Sequence, residues 1–282
     1  MKRIILTGLA LMTMFCLGGS VAASDEQHVG QKFEGFNLQG YNGQGEMIWN
    51  VNGETADVKQ DTIEISNVDA DTYGEQPMNV KAKKAFVRQS DGNMRLEKDV
   101  TITSENGTRM LTDSLEWRRD DDLVTTKDDV IIQDQTKGLT VTGTGLDAHP
   151  GLNTAKVKKD VKAMIDVNQA DEQANPNIVT ITCDGPMVID RGKSMATFED
   201  NVVAVQNDQT LKADRMEIYF DEEKKTIQKL ICTGHVVVIR GENQTYAQKM
   251  VYDAETQKMT LSGKPKLILL TEGENAITAP GD

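Results

Sequence analysis

Two stretches of sequence decide the fold: Met110-Leu-Thr-Asp-Ser-Leu-Glu-Trp117 and, beyond a polar turn, Asp129-Val-Ile-Ile132. Apolar and polar residues alternate in both stretches, for example at Leu115 and Trp117 and again at Val130 and Ile132. This period of two is typical of β-strands that turn one face toward a core. The pattern predicts an antiparallel pair of half-buried strands, and it extends along most of the chain.

The second stretch opens with a pair of residues, Asn or Asp followed by Val, that recurs along the chain. Its copies are Asn67-Val68, Asp99-Val100, Asp129-Val130, Asp160-Val161 and Asn201-Val202, with the variants Gly234-His235-Val236 and Gly263-Lys264-Pro265. The copies recur with a nearly constant spacing, and the one clearly longer interval runs from Val161 to Val202. A regular period of this kind indicates a repeated structural unit.

The first stretch contains a second recurring mark, in which a small residue and a polar residue lie among alternating apolar ones. Its small residues are Ala82, Thr112, Gly143, Ala213 and Ala247. All of them except Ala213 precede the Val (or Pro265) of the other mark by the same distance along the chain, as from Ala82 to Val100. We interpret the two marks as a two-strand unit of about 30 residues, whose copies stack and share one continuous apolar interior.

Composition narrows the functional classes. The chain has 282 residues, a net charge of −13 and only 5% aromatic residues. Nucleic-acid binding needs a clustered basic face, so it is not expected here. The N-terminus has the features of a secretory signal: Lys2 and Arg3, an apolar stretch, and small residues before a cleavage point after Ala23. Residues 1–23 are thus a signal peptide, or residues 4–23 an uncleaved membrane anchor, and the remainder is expected in the periplasm.

The long interval between Val161 and Val202 marks the division between two modules. It contains the polar, aperiodic residues 167–177, which we interpret as a linker. The predicted organisation is a β module at residues 33–166, the linker, a second β module at residues 178–270, and a tail at residues 271–282.

Catalytic and metal-binding signatures are missing from the sequence. We find no Ser/His/Asp arrangement, no phosphate-binding glycine loop and no cluster of metal-ligating residues. An enzyme, a cofactor and a metal site are therefore not expected. Cys183 and Cys232 can form a disulfide in an oxidising compartment, or each can be a small buried residue; the sequence leaves both alternatives open.

Both modules resemble families of lipopolysaccharide export. Residues 33–165 resemble the LptC family, through Phe36-Asn-Leu38, Gly45-Glu-Met-Ile-Trp49, Met110 to Trp117, Leu123 to Val130 and Gly138 to Ala148. Residues 178–269 resemble the LptA/OstA family, through Ala196 to Val202, Leu211-Lys-Ala-Asp214 and Gly234-His-Val236. The fusion departs from the usual pattern, in which the two modules occur on separate chains.

The resemblance implies an all-β fold: an open β-jelly-roll, folded like a taco, whose apolar groove holds the acyl chains of lipopolysaccharide. It also implies partners, namely the inner-membrane lipopolysaccharide-export ABC transporter and other bridge or outer-membrane components, with self-association as a further option. Two alternatives remain open: a cell-envelope scaffolding repeat protein with a packed, lipid-free interior, and a carbohydrate-binding β-sandwich. Few exposed aromatic platforms are expected, which speaks against the latter.

The candidate site follows from the strand parity of the repeat. The residues expected to line the lipid groove are Trp49, Val100, Ile102, Leu115, Trp117, Val130, Ile132, Val161, Val202, Met216, Ile218, Val236 and Val238. The terminal repeat ends in an apolar run with no later repeat to pair with. Leu267, Ile268 and Leu269 are therefore expected to form an assembly edge.

Overall fold

The computed structural model describes residues 31–73, 77–105, 107–118, 120–134, 138–166, 177–221 and 226–268. Its strands are β1 Gln31–Tyr41, β2 Met47–Lys59, β3 Thr62–Thr72, β4 Met78–Arg88, β5 Met94–Ser104, β6 Thr108–Arg118, β7 Leu123–Asp134, β8 Leu139–His149, β9 Thr154–Asp166, β10 Ile178–Cys183, β11 Met187–Asp190, β12 Met195–Gln206, β13 Gln209–Asp221, β14 Thr226–Arg240, β15 Asn243–Asp253, β16 Lys258–Ser262 and β17 Lys266–Ile268. Two short 3₁₀ turns, Pro150–Leu152 and Arg191–Lys193, precede β9 and β12.

The chain forms two compact units that divide between Lys158 and Lys159, within β9. In unit 1, strands β1 to β8 pair antiparallel in sequence order, each with the next. The hairpin from β4 to β5 turns at Asp91-Gly92, residue types that favour tight turns. The sheet of unit 1 is thus a meander of local pairings.

Unit 2 follows the same order but begins and ends with interrupted strands. Near its start, β10 and β11 both pair with β12, and β10 also pairs with β9. Strands β12 to β15 then pair antiparallel in sequence. At the end, β16 and β17 both pair with β15. The break between them falls at Gly263-Lys264-Pro265, since proline lacks the N–H that a continuous ladder would use.

The Asn/Asp–Val mark is a backbone corner in the middle of a strand. In six of its seven copies the residue before the Val or Pro has a positive φ: Asn67 48°, Asp99 55°, Asp160 54°, Asn201 52°, His235 44° and Lys264 60°. Asn and Asp adopt this left-handed conformation more readily than other non-glycine residues. The exception is Asp129, where the positive φ lies instead on the partner strand, at Gly145.

The two marks of the repeat meet at these corners. The register pairs five of the corner Val residues with the small residue of the next strand: Val68 with Ala82, Val100 with Thr112, Val130 with Gly143, Val202 with Ala213, and Val236 with Ala247. A small side chain leaves room for the Val where the strands bend. The constant spacing between the marks is therefore the distance along the chain from the small residue of one corner to the Val of the next.

Each corner divides its strands into two flanks, and in unit 1 the flanks pack against each other. One apolar cluster contains Ile63, Ala85 and Leu96 from one flank together with the corner residues Val68 and Val100. Ala70 and Ile102, from the other flank, pack against the same cluster. The core of unit 1 therefore lies inside the fold of the strands, and the corner row forms its crease.

The sequence prediction of an all-β fold is confirmed. The described strands pair antiparallel, and the architecture fits a β-jelly-roll of two tandem modules. The predicted leader at residues 1–23, most of the linker at 167–177, and the tail at 271–282 lie outside the described residues. The predicted module boundaries stay a prediction.

We expect the backbone at a corner to limit stability. Asp160 is exposed and has a φ of 54°. Asp160→Val forces a β-branched residue into the left-handed region and should lower the free energy of unfolding by about 1–2 kcal/mol. Asp160→Gly should change it little, because glycine adopts this conformation without strain. Urea denaturation measures both.

The matched control is Lys162→Val, since Lys162 is also exposed, on the same strand, and does not have a positive φ. If Asp160→Val and Lys162→Val change stability equally, the corner conformation is not what selects Asp at this position.

Candidate functional site

The residues predicted to line a groove fall into two groups by burial. Nine of them are buried: Trp49, Val100, Leu115, Val130, Val161, Val202, Met216, Ile218 and Val236. The other four, Ile102, Trp117, Ile132 and Val238, are half-buried. The structure therefore separates side chains that are covered by protein from side chains that keep accessible surface.

The five corner valines among these residues belong to the covered group. Val100, Val130, Val161, Val202 and Val236 are each at most 2% exposed. Their surface is already removed from water by the crease itself. The corner valines thus form a covered crease, whereas Ile102, Ile132 and Val238, which lie two residues beyond it, are half-buried and keep accessible apolar surface.

Unit 2 contains an apolar row that the sequence analysis found only in part. The register places Met187, Phe198, Met216, Cys232 and Met250 side by side on five strands. All five are at most 4% exposed. Met216 was predicted, and the others follow the same inward parity once the corners at Asp200-Asn201 and Gly234-His235 are known. Phe198 is the aromatic member of this row.

The two cysteines of unit 2 are free thiols and both are buried. Of the alternatives left open by the sequence, the structure has the small buried residue rather than the disulfide. Desolvation by burial raises the pKa of Cys183 to about 11 and that of Cys232 to about 12. Both thiols therefore stay protonated near neutral pH, and a protonated thiol is a poor nucleophile.

The two tryptophans of the chain both lie in unit 1 and both have an unusual indole N–H. Nε1 of Trp49 and Nε1 of Trp117 are buried and have no hydrogen-bond partner in the part of the chain that the structure describes. The ring of Trp49 lies against Gly40, its neighbour on β1, where an added Cβ would come within 2.1 Å of the indole. Gly40 is thus required for this tryptophan to lie flat on the sheet.

A cavity of about 450 Å³ opens near the strand ends of unit 1, beside Trp117. The side chains that line it are Thr62, Phe86, Arg88, Asn93, Met94, Arg95, Glu97, Glu116, Trp117 and Arg118. Its three arginines bond carboxylates: Arg88 to Asp91 at 2.7 Å, Arg95 to Glu97 at 2.8 Å and Arg118 to Asp121 at 3.4 Å. These pairs balance the positive charge, so the cavity wall is amphipathic rather than strongly cationic.

The described part of the chain offers no metal-binding chemistry. Across those residues we find no group of three or more His, Cys, Asp or Glu side chains placed to hold an ion. The closest approach of a histidine to a carboxylate that we describe is Nδ1 of His235, 2.8 Å from Asp214. Both side chains are exposed at a corner, which suits a structural contact. Among the described residues, no helix has the length and apolar character needed to cross a membrane.

The first and last strands of the described chain present exposed apolar side chains. On β1, Phe33 is 49% exposed and Tyr41 53%. At the other end, Met259 on β16 is 48% exposed and Leu267 on β17 is 59% exposed. Of the three residues predicted for an assembly edge, Leu267 and Ile268 lie on β17, and Leu269 lies outside the described residues.

Comparison with known proteins identifies both halves of the chain. Residues 4–166, more than half of the sequence, match the family described as lipopolysaccharide-assembly, LptC-related. Residues 180–280 match the family described as LptA/(LptD N-terminal domain) LPS transport protein. No curated protein matches the chain. The two matches have the same order as the two resemblances in the sequence.

A charged residue introduced at the crease should lower stability much more than one introduced on the outer face. Val130 is 1% exposed at a corner, whereas the adjacent Ile131 is 40% exposed on the opposite face of β7. Val130→Asp buries an unpaired carboxylate and should cost on the order of 3 kcal/mol or more of folding free energy. Ile131→Asp, the matched control, should change it by about 0.5 kcal/mol or less. Thermal unfolding and the steady-state protein level would measure this; similar effects of the two variants would contradict the inward placement of Val130.

Proposed function

The chain belongs to the LptC-related lipopolysaccharide-assembly family and continues with an LptA-type module, and we propose that it holds the acyl chains of lipid A in its apolar interior and passes them on toward the outer membrane. A role in lipopolysaccharide transport, a periplasmic location and a non-enzymatic mode of action follow from the family. The binding and the handover are our proposals.

The single observation that carries the proposal is the row of inward-facing apolar side chains that remain only half-buried. In unit 1 the partly buried apolar side chains that pack against the core are Phe36, Val58, Ala70, Val80, Val87, Met94, Ile102, Met110 and Val124. Sealed interiors bury such residues. Here they keep apolar surface accessible on the two flanks of the crease, and we call this surface the strip.

The energetics of transport fit such a surface. Each methylene group of an acyl chain gains about 0.8 kcal/mol when it leaves water for an apolar environment. A carrier must hold the chain and release it again, so it needs contact area rather than reactive groups. Flexible Met side chains such as Met94 and Met110 adapt to chains of different shape.

The order of the modules supports a path along the chain. The matches end at residue 166 and resume at residue 180, which supports our interpretation of residues 167–177 as a linker. If residues 4–23 remain as an anchor, the LptC-type module lies nearest the inner membrane, because it follows the anchor directly in the chain. We propose that lipopolysaccharide enters the module at residues 33–166 and leaves through the module at 178–270.

The exposed terminal strands are the proposed contacts with other components. We propose that β1 docks the inner-membrane ABC transporter and that the edge formed by β16 and β17 docks the next bridge or outer-membrane component, or a second copy of this chain. Addition of a strand to an exposed edge satisfies backbone groups that would otherwise face water. Lys264, Pro265 and Lys266 blunt this edge only over a short distance.

The scaffold alternative predicts a different outcome for the same surface. In a lipid-free structural protein the half-buried strip would be covered by protein partners. Purification from cells discriminates between the two, because a carrier co-purifies with lipopolysaccharide and a scaffold does not.

Photocrosslinking tests where the lipid lies. A photoreactive analogue at Ile102, Ile132 or Val238 should crosslink lipopolysaccharide in cells, because these side chains face the open strip. The same analogue at Thr101 or Val237, one residue away on the opposite face, is the matched control and should crosslink poorly. Immunoblots for a lipopolysaccharide adduct measure the crosslinking yield. Equal yields at the predicted inward positions and at the control positions would rule out a groove.

Proline substitution tests the assembly edge. Ile268 pairs with Gln244 at the end of β17. Ile268→Pro removes a backbone donor and should abolish the contact with the downstream component while the upstream contact and the monomer fold persist. Ile268→Val keeps the strand and serves as the control. Site-specific crosslinking and size-exclusion chromatography are the measurements; an unchanged downstream contact would place it elsewhere.

A further inference from the structure

Two buried indole N–H groups in unit 1 have no acceptor among the described residues. Beside Trp49 on β3 is Thr72, whose hydroxyl already interacts with the backbone of Met78 at 3.1–3.3 Å. Beside Trp117 are Met94 and Val124, which offer no strong acceptor. A buried donor without a partner costs about 1–3 kcal/mol, so a protein that keeps two of them has a use for the acceptor that completes them.

Both tryptophans lie at the margins of the interior, far from the crease. Trp49 is two residues from the start of β2, and Trp117 is one residue from the end of β6. Alternate strands of an antiparallel meander run in the same direction, so these positions belong to opposite flanks. The interior of unit 1 thus has one unpaired indole donor near each of its two outer margins.

Resting on the proposed function, we propose that Trp49 and Trp117 donate hydrogen bonds to oxygen atoms at the roots of the bound acyl chains, the ester or amide carbonyls and the hydroxyls close to the sugar. In a bound amphiphile these oxygens lie at the boundary between the hydrocarbon chains and the headgroup. When the hydrocarbon lies on the apolar strip, this boundary lies at the margins of the interior, where the two tryptophans are. Tryptophan suits it, because one end of the ring is apolar and the other carries a donor.

The alternative acceptor is a phosphate on the headgroup, and the surroundings speak against it. The arginines near Trp117 bond carboxylates, and Trp49 is 5% exposed among uncharged neighbours. A phosphate at Trp117 would have to compete with these carboxylates for the arginines, and a phosphate at Trp49 would lose water without gaining a cation. A carbonyl or hydroxyl oxygen costs far less to desolvate.

Nuclear magnetic resonance of the indole groups tests the proposal on the native protein. The chain contains two tryptophans, so ¹⁵N-labelled indole gives two side-chain signals, assigned with Trp49→Phe and Trp117→Phe. Addition of lipid A should move both N–H protons downfield and slow their exchange with water. Dodecyl maltoside, an alkyl glycoside without carbonyls or chain hydroxyls, should bind the strip but leave both signals close to the free position.

Lipid A from which the phosphates have been removed separates the two acceptors. Downfield shifts of the same size with and without the phosphates support hydrogen bonds to the oxygens at the roots of the acyl chains. Shifts seen only with phosphorylated lipid A overturn the proposal. If lipid A binds and neither indole signal moves, this inference fails while the proposed function stands. If lipid A does not bind at all, the proposed function itself fails.

An isosteric replacement measures the contribution to affinity. Residue-specific incorporation of benzothienylalanine puts sulfur in place of the indole N–H in both tryptophans and keeps the ring size. We expect the affinity for lipid A to fall about a hundredfold, about tenfold for each of the two hydrogen bonds lost, and the affinity for dodecyl maltoside to stay unchanged. Equal affinity of the two proteins for lipid A would overturn the proposal.

Discussion

The fold depends on the ability of its strands to turn a corner without breaking. A β-strand of L-residues bends sharply only where the backbone enters the left-handed region, which most side chains resist. The chain meets this constraint with Asn, Asp or Gly before most crease positions, and with a small residue opposite. At Gly234 the fit is so close that an added Cβ would lie 2.1 Å from Asp214. The crease, the two flanks and the strip on them all follow from this local geometry.

Much of this architecture could be predicted, because the constraint that builds it also shapes the sequence. In the sequence, Asp99-Val100 marks a corner, and Thr112 marks its partner on the next strand. Alternation alone predicts that Ile102 and Val238 face inward. It does not predict their partial exposure, since the distance between the two flanks is set by packing across the interior. Met250 was not named because it lies three residues after the corner residue Ala247, so the inward parity shifts there. Phe198 keeps the parity of Val202 and was passed over.

The two units share the same strand order but differ in the side chains of their interiors. Unit 1 has aliphatic residues at its crease, a broad half-buried strip and tryptophans at its margins. Unit 2 has a fully buried row of Met187, Phe198, Met216, Cys232 and Met250. Thioethers and thiols are polarizable and easily rearranged, so this row can repack, whereas β-branched residues hold one rotamer. The interiors of the two units thus differ in how readily their side chains rearrange.

The free thiols of unit 2 also constrain how the chain matures. The periplasm oxidises accessible cysteines in pairs, and an unfolded chain exposes both Cys183 and Cys232. The two residues occupy separate strands, β10 and β14, so a disulfide that forms early would tether segments before the sheet that separates them is built. Folding and oxidation therefore compete in time, and burial protects each sulfur from oxidation once the sheet has formed. The interior of unit 2 thus keeps oxidants as well as water away from the two thiols.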